Sequence, residues 1–397
     1  VPGELFFRHG HGRKNTCFKF KTIENFRTIK TNMVSINKGE SIMKRFLAGC
    51  VFAIAMLVLT SAYAQEERCH ITLHSGDLVR NAQITKMGRD ILVVEASGTA
   101  EKIPVGNIAG IKFTGEPVEL NNARTYLVDS RFEDMLDELK NIDSDQLTPN
   151  MKKECEFLVI RAFVGQAFSG ALAITKAIDK MDDYFKSKEN QEYYRFYELS
   201  ELYGELNMLI GSDESLKKAS SAFAMLQKAK DSPILKARGL IGFGTIANLK
   251  GDAENAEKSF KEVLQMVRNQ ELEGVKSEME VKASSGLARA LVLEGKGDQA
   301  IADIQKFFAA NKIAQEDPLN AQLYNALGFA LLKNKKPKDA AIAYMHTHLL
   351  YNGNKQLHVE ALDAMIQIFR AELRDELRAG ELEALKSARY GGGKKSK

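Results

Sequence analysis

Four alanines, Ala219, Ala256, Ala300 and Ala340, stand 37, 44 and 40 residues apart, and each is followed four positions later by a bulky side chain: Phe223, Phe260, Ile304 and Tyr344. A spacing of four places the small and the large residue on one face of a helix, one turn apart. Self-similarity at a period near 40 residues belongs to stacked units that bury their cores against neighbours, which excludes most single closed folds. Ahead of the anchors a second helical pattern recurs. Leu240, Phe243-Gly244 and Gly251 precede Ala256; Leu287-Ala288, Leu291 and Gly295 precede Ala300; Tyr324, Leu327-Gly328 and Leu331 precede Ala340. Small residues in these stretches let two helices approach, and the large ones fill the gap to the next pair.

Helix boundaries agree with this phase. Thr148-Pro149, Ser232-Pro233 and Asp317-Pro318 each put a capping side chain before a proline suited to the first helical position. Asp213, Asp252 and Asp298 stand just before expected second helices, so Gly251-Asp252 and Gly297-Asp298 read as turns inside pairs.

In these residues the chain resembles the tetratricopeptide repeat family. Three pairs between about Leu235 and Leu350 carry the likeness. The expected fold class is mainly α, a tetratricopeptide-like α-α solenoid over residues 117–352, preceded by a small β-barrel-like module. Two earlier units depart from the pattern: Phe132 to Ile142 and Phe168 to Ile178 read as second helices, while Ala123 to Ser130 and Met151 to Gly165 lack the Leu-Gly pair. Residues 353–390 are expected to cap the array with one long amphipathic helix, Leu357 to Ala388, bearing Leu362, Met365, Ile366, Phe369, Leu373 and Leu377 on one side. The tail, residues 391–397, reads as disordered.

Between residues 65 and 116 the period is two instead of 3.6. Ile71 and Leu73, Ala82 and Ile84, Ile91 to Val94, Ile103, and Ile108, Ile111 and Phe113 are separated by four Gly- or Pro-containing turns, which predicts four or five short strands. Such strands can close into a small barrel, although a unit of this size is marginal without a supporting surface. Its strand and turn order is similar to small five-stranded barrels at the start of exported bacterial proteins.

The first 64 residues read as no part of the fold. Met43-Lys44-Arg45, an apolar stretch from Phe46 to Thr60, and Ala62-Tyr63-Ala64 have the three parts of a secretory signal peptide over residues 43–64. An uncleaved membrane helix is the alternative, permitted at its lower length limit. Leu47-Ala48-Gly49-Cys50 matches a lipoprotein pattern, but its apolar run follows the cysteine instead of preceding it. Residues 1–42 read as an upstream, non-structural extension. Beyond the leader, Cys69 and Cys155 are the remaining cysteines, placed either side of a domain boundary, where lone thiols more often stay unpaired.

The formal charge of +4 hides an asymmetry. Residues 1–64 hold 10 basic and 3 acidic side chains, so the body holds 46 basic and 49 acidic ones. A mildly acidic body offers no reason to expect nucleic-acid binding.

No pattern for catalysis or cofactor binding emerges. His346 and His348 point about 200° apart on a helix and cannot share a metal through helical geometry, and His70 and His74 lack accompanying acidic or thiol ligands. Gly239-x-x-Gly242-x-Gly244 lies inside a helical pattern instead of after a strand, so it reads as a helix crossing and not a phosphate loop. The reading is therefore non-catalytic, with no metal and no cofactor. The resemblance implies that first helices line a concave face, which assigns partner binding to Arg238, Thr245, Asn248, Lys282, Arg289, Gln322, Asn325 and Phe329. Three cations among them suit an acidic or extended peptide, although the set does not reproduce the Lys/Asn arrangement by which some family members clamp a C-terminal carboxylate. The expected role is a protein-interaction scaffold in the periplasm or cell envelope, touching membrane only through an uncleaved leader. Two alternatives stand beside it: a structural subunit of an envelope assembly docked through the β module, and a metal-dependent hydrolase.

Overall fold

A computed structural model of the chain describes residues 67–310 and 313–390. The expected leader and cleavage site within residues 43–64, the extension before them and the C-terminal tail lie outside the described residues.

Five strands come first: β1 (Arg68–Leu73), β2 (Leu78–Lys86), β3 (Ile91–Ala96), β4 (Thr99–Pro104) and β5 (Ile108–Phe113). They pair antiparallel in the order β4-β3-β2-β1-β5. The sheet is open, with β4 and β5 at its edges, so the expected closure into a barrel does not occur. Closure is unnecessary because the sheet is covered from one side by helices. Cys69, Ile71, Leu92, Val94, Ile111 and Phe113 share one core with Leu120 and Ala123 of the first helix and with Met135, Phe157 and Leu158 beyond it. The strands and the first helices thus form one body.

Fifteen α-helices follow among the described residues: α1 (Val118–Val128), α2 (Phe132–Asn141), α3 (Pro149–Ser169), α4 (Ile174–Phe185), the single turn α5 (Lys188–Gln191), α6 (Phe196–Ile210), α7 (Asp213–Gln227), α8 (Pro233–Lys250), α9 (Ala253–Arg268), α10 (Lys276–Leu293), α11 (Gly297–Ala309), α12 (Asn320–Lys333), α13 (Pro337–Leu350), α14 (Lys355–Gln367) and α15 (Glu376–Tyr390). Six antiparallel pairs run from α1/α2 to α12/α13, with α14/α15 as a seventh at the end. The capping residues act as their chemistry dictates. Thr148 accepts from the Met151 amide and Ser232 from the Leu235 amide, each ahead of a proline in the first turn, while Asp252 accepts from the Asn255 amide at the start of α9.

The helix pairs interlock through glycine and aromatic side chains. A Cβ on Gly242 would stand 2.3 Å from the Phe223 ring, and one on Gly286 would stand 2.3 Å from the Phe260 ring. Gly204 faces Phe223, Gly244 faces Phe260, and Gly328 faces Tyr344 in the same way. Each ring from a second helix is seated on bare backbone of first helices, which is why the expected helix crossing at Gly239 to Gly244 needs no side chain there.

Three local expectations require correction. Phe168 lies in the last turn of α3, not near the start of a second helix: Gly170, with φ of 78°, stops α3, and α4 begins at Ile174. The helix after Asp317-Pro318 starts two residues later, at Asn320, because Asp317 accepts from the Leu319 amide in a preceding turn. The single capping helix is in fact two. After α14 the chain makes a π turn, Ile368–Glu372, and Arg374 takes φ of 55°; Asp375 then accepts from the Arg378 amide and starts α15, which folds back on α14. Leu362, Met365, Ile366 and Phe369 are buried as expected, but Leu377 is 75% exposed.

The array also turns back on itself. Lys355 at the start of α14 donates to the Ser169 carbonyl at the end of α3, a contact between residues 186 apart in sequence.

Candidate functional site

Polar side chains of the first helices α3, α6, α8 and α10, and further along of α10, α12 and α14, meet inside this curve. Near the strands the inner surface holds a cavity of about 310 Å³, lined by Arg161, Arg195, Glu198, Glu201, Glu205, Arg238, Glu278 and Lys282 from the helices and by His74, Val105, Gly106, Ile108 and Ala109 from the strand module. The module reaches it by packing on the array. Glu67 accepts from the Thr148 hydroxyl and the Asn150 amide, Tyr197 donates to Asp90 (2.6 Å), and a Cβ on Gly274 would stand 1.8 Å from the His74 carbonyl oxygen.

Charges around the cavity are matched in pairs. Arg195 donates to Glu198 (2.8 Å) and to the fully buried Glu154 (3.2 Å), which also accepts from the hydroxyls of Tyr193 and Tyr194. Arg238 donates to Glu201 (2.9 Å), and Lys282 donates to Glu278 (2.6 Å). Burial alone would raise Glu198, yet Arg195 and Arg161 hold its carboxyl below the ordinary value. Glu205 is the exception: burial, then the charge of Glu201, push it up to about 7. Burial likewise lowers His74, with Arg238 adding to the effect.

Further along the inner face, Arg289 pairs with Glu360 of α14, and its guanidinium lies 5.4 Å from the Phe329 ring centre. Thr245 returns its hydroxyl to the Ile241 carbonyl (2.8 Å). Asn248 Nδ2 donates to the Gly286 carbonyl of α10 (2.9 Å), and Asn325 Nδ2 donates to the Leu357 carbonyl of α14 (2.9 Å). These bonds fix both amide rotamers, since only the NH₂ group can serve a carbonyl. The Oδ1 atoms of Asn248 and Asn325 are then buried acceptors without a donor. Gln322 stands one turn ahead of Asn325 on α12 and is half-buried.

The eight residues assigned to partner binding are thus dispersed over three successive first helices. Arg238 and Lys282 belong to the cavity beside the strands, whereas Arg289, Asn325 and Phe329 cluster where Arg289, Asn325 and Glu360 meet. Sequence reasoning missed the carboxylates that neutralise the cations: Glu201, Glu278 and Glu360 come from another helix or from the same helix one turn away. Only the Glu278/Lys282 spacing of four is a local signal.

The histidines are taken up by packing. His346 stacks on Tyr324, with ring centres 4.4 Å apart, while His348 and His358 bond each other through ring nitrogens at 2.7 Å and His358 also bonds the Tyr390 hydroxyl (2.5 Å). Among the described residues no group of three or more His, Cys, Asp or Glu is placed to hold a metal ion. Cys69 and Cys155 are free thiols, and burial pushes Cys69 up to about 12.

The class this geometry defines is a helix-pair solenoid of the tetratricopeptide type, carrying an open five-stranded sheet at its start. No protein-family model matches the sequence, and no curated protein matches it significantly. Among solved structures the chain is similar to a tetratricopeptide repeat protein from Parabacteroides merdae, at 16% identity over 62% of this chain and 83% of that one, with a TM-score of 0.44. It is also similar to a Rap protein complexed with Competence and Sporulation Factor, at 12% identity over 69% of this chain and 77% of that one, TM-score 0.48. The class rests on the chain's own helix pairing and not on these likenesses.

Proposed function

We propose that this protein is a non-catalytic interaction scaffold that binds an extended peptide segment of a partner protein on the concave face, between α8 and α14, outside the cytoplasm. The observation that carries this reading is the row of partly exposed side chains Thr245, Arg289, Gln322 and Phe329 on three successive first helices. An extended segment crossing α8, α10 and α12 would set its side chains against Arg289, Gln322 and Phe329. Arg238 and Lys282, neutralised inside the cavity next to the strands, serve the inner charge network in this reading. Export is supported by the three-part leader in the sequence.

Photo-crosslinking in the native cell envelope tests the proposal. A crosslinking residue at Gln322 should yield an adduct that the Arg289→Glu, Phe329→Ala double substitution abolishes. Equal adducts from the outward-facing Lys258, or adducts indifferent to the double substitution, would overturn it. The N-terminal mass of the envelope-extracted chain reads the second half: a mature start after Ala64 is expected, and a cytoplasmic, unprocessed chain would sink the export reading.

A further inference from the structure

The array carries a second groove, on the far side of Tyr197 from the inner cavity that this residue also lines. It lies over α6, between α4 and α7, and has a volume of about 590 Å³. Its floor is aromatic: Phe185 of α4 meets Phe196 and Tyr203 of α6 edge to face, with ring centres 5.6 and 5.8 Å apart. The groove exists because the ten residues Lys186 to Arg195 are inserted between α4 and α6, leaving α4 the most loosely packed of the second helices against its following pair.

One wall is a complete helix face. Glu214, Lys217, Lys218, Ser221, Ala222, Met225 and Lys228 recur at spacings of three and four along α7, so the slot runs for roughly 21 Å at 1.5 Å per residue. A slot of helix length suits an elongated element more than a compact small molecule. Met225, 44% exposed, projects from this wall.

The rim is cationic. Two acids stand on it, Glu214 beside Lys218 (3.8 Å) and Asp182 bonded to the Tyr203 hydroxyl. Among the described residues Lys217 and Lys228 form no ion pair, and Arg89, from the β2–β3 turn, lies over the Phe196 and Tyr197 rings at 5.3 and 5.9 Å with a buried Nε that lacks an acceptor. Four cations, Arg89, Lys217, Lys218 and Lys228, against two carboxylates therefore border an apolar floor. The chain's own remaining segments carry the wrong charge to fill it: residues 1–64 hold 10 basic and 3 acidic side chains, and the tail after Tyr390 holds Lys394, Lys395 and Lys397 with no acid.

We infer that this outer groove docks an acidic amphipathic helix of another protein, its apolar stripe on Phe185, Phe196, Tyr203 and Met225 and its carboxylates facing Lys217, Lys228 and Arg89. Helix-in-groove recognition supplies apolar area through the stripe and orientation through the flanking charges. The array then has two separate binding faces.

The test uses the full chain and a fluorescein-labelled synthetic helix of about 18 residues, with leucine at i, i+3, i+4 and i+7 and glutamate on the flanks, read by anisotropy. Its counterpart carries lysine in place of every glutamate. The acidic peptide should bind about tenfold or more tightly than the lysine peptide, and the double variant Lys217→Glu, Lys228→Glu, whose sites are exposed, should remove that preference without changing the circular dichroism. Arg289→Glu on the concave face should leave this binding intact, so failure here and failure of the concave site are read separately. Equal binding of both peptides, or an acidic peptide indifferent to the double variant, overturns the inference. So does sedimentation showing a dimer that the double variant dissolves, because a second copy would then be the occupant.

Discussion

At Gly286 two rules of helix stability oppose each other. Glycine inside a helix costs about 1 kcal/mol relative to alanine, so propensity favours Gly286→Ala. The Phe260 ring, however, occupies the place where the new methyl would stand, at 2.3 Å, and is itself held in a buried pocket. Overpacking of about 1–3 kcal/mol should win, lowering the thermal midpoint. Gly380 on the exposed side of α15 has open space around it, so Gly380→Ala should raise stability by a few tenths of a kcal/mol to about 1 kcal/mol. Differential scanning calorimetry of the two variants checks this pair: a stabilised Gly286→Ala would refute the seating of the ring on bare backbone. The sequence made Phe260 and its alanine anchor legible because both lie on one helix at spacing four. It could not show that Gly244 and Gly286, on helices either side, share that one ring.

Among the elements, the C-terminal pair differs most from what its sequence suggests. Apolar periodicity continues through Leu373 and Leu377 with no proline or glycine to break it, and periodicity alone extends the helix. The one local sign of a break is Arg374-Asp375-Glu376, where an aspartate precedes an acidic first turn. The returning α15 brings Tyr390 to His358, which in turn meets His348 of α13. Burial, with the neighbouring His348, pushes His358 down to about 4, and burial lowers His348 as well. A histidine depressed in the folded state binds its proton more readily when unfolded. Its contribution is therefore complete above the unfolded value of 6.5 and is lost as pH falls toward 4. Hydrogen exchange should show α14 and α15 opening more readily at pH 4.5 than at pH 7.5, beyond the chemical rate difference, and His358→Phe should flatten that change. An unchanged pH response in His358→Phe would assign it to other groups.

For the whole molecule, the strand module and the array stand or fall together. Phe113, Ile111 and Leu92 share a core with Leu120, Met135 and Phe157, while Asp90 and Glu67 bond residues of α6 and α3. Deleting residues 67–113 should therefore expose the inner faces of α1 to α3, raise dye binding by apolar surface, and lower the denaturation midpoint of the remaining array. A truncated chain with an unchanged midpoint would show instead that the module is an independent attachment.

What could be read along the sequence were properties of short range: the helix pairs with their 37- to 44-residue recurrence, the caps at Thr148, Ser232 and Asp252, the strand alternation, and the polar set assigned to first helices. These follow from periods of 3.6 and 2.0 and from side chains that bond amides two or three residues away, so neighbouring residues suffice to specify them. The open form of the sheet, the pairing of Arg289 with Glu360, the return of α14 to Ser169 and the outer groove over Phe185 and Tyr203 were settled in three dimensions. The open sheet depends on the helices that cover it, the return of α14 and its pairing with Arg289 on small rotations summed from one helix pair to the next, and the groove on a ten-residue insertion that loosens one joint. Such sums are set by packing between distant segments, and that packing is where the chain's candidate binding faces arise.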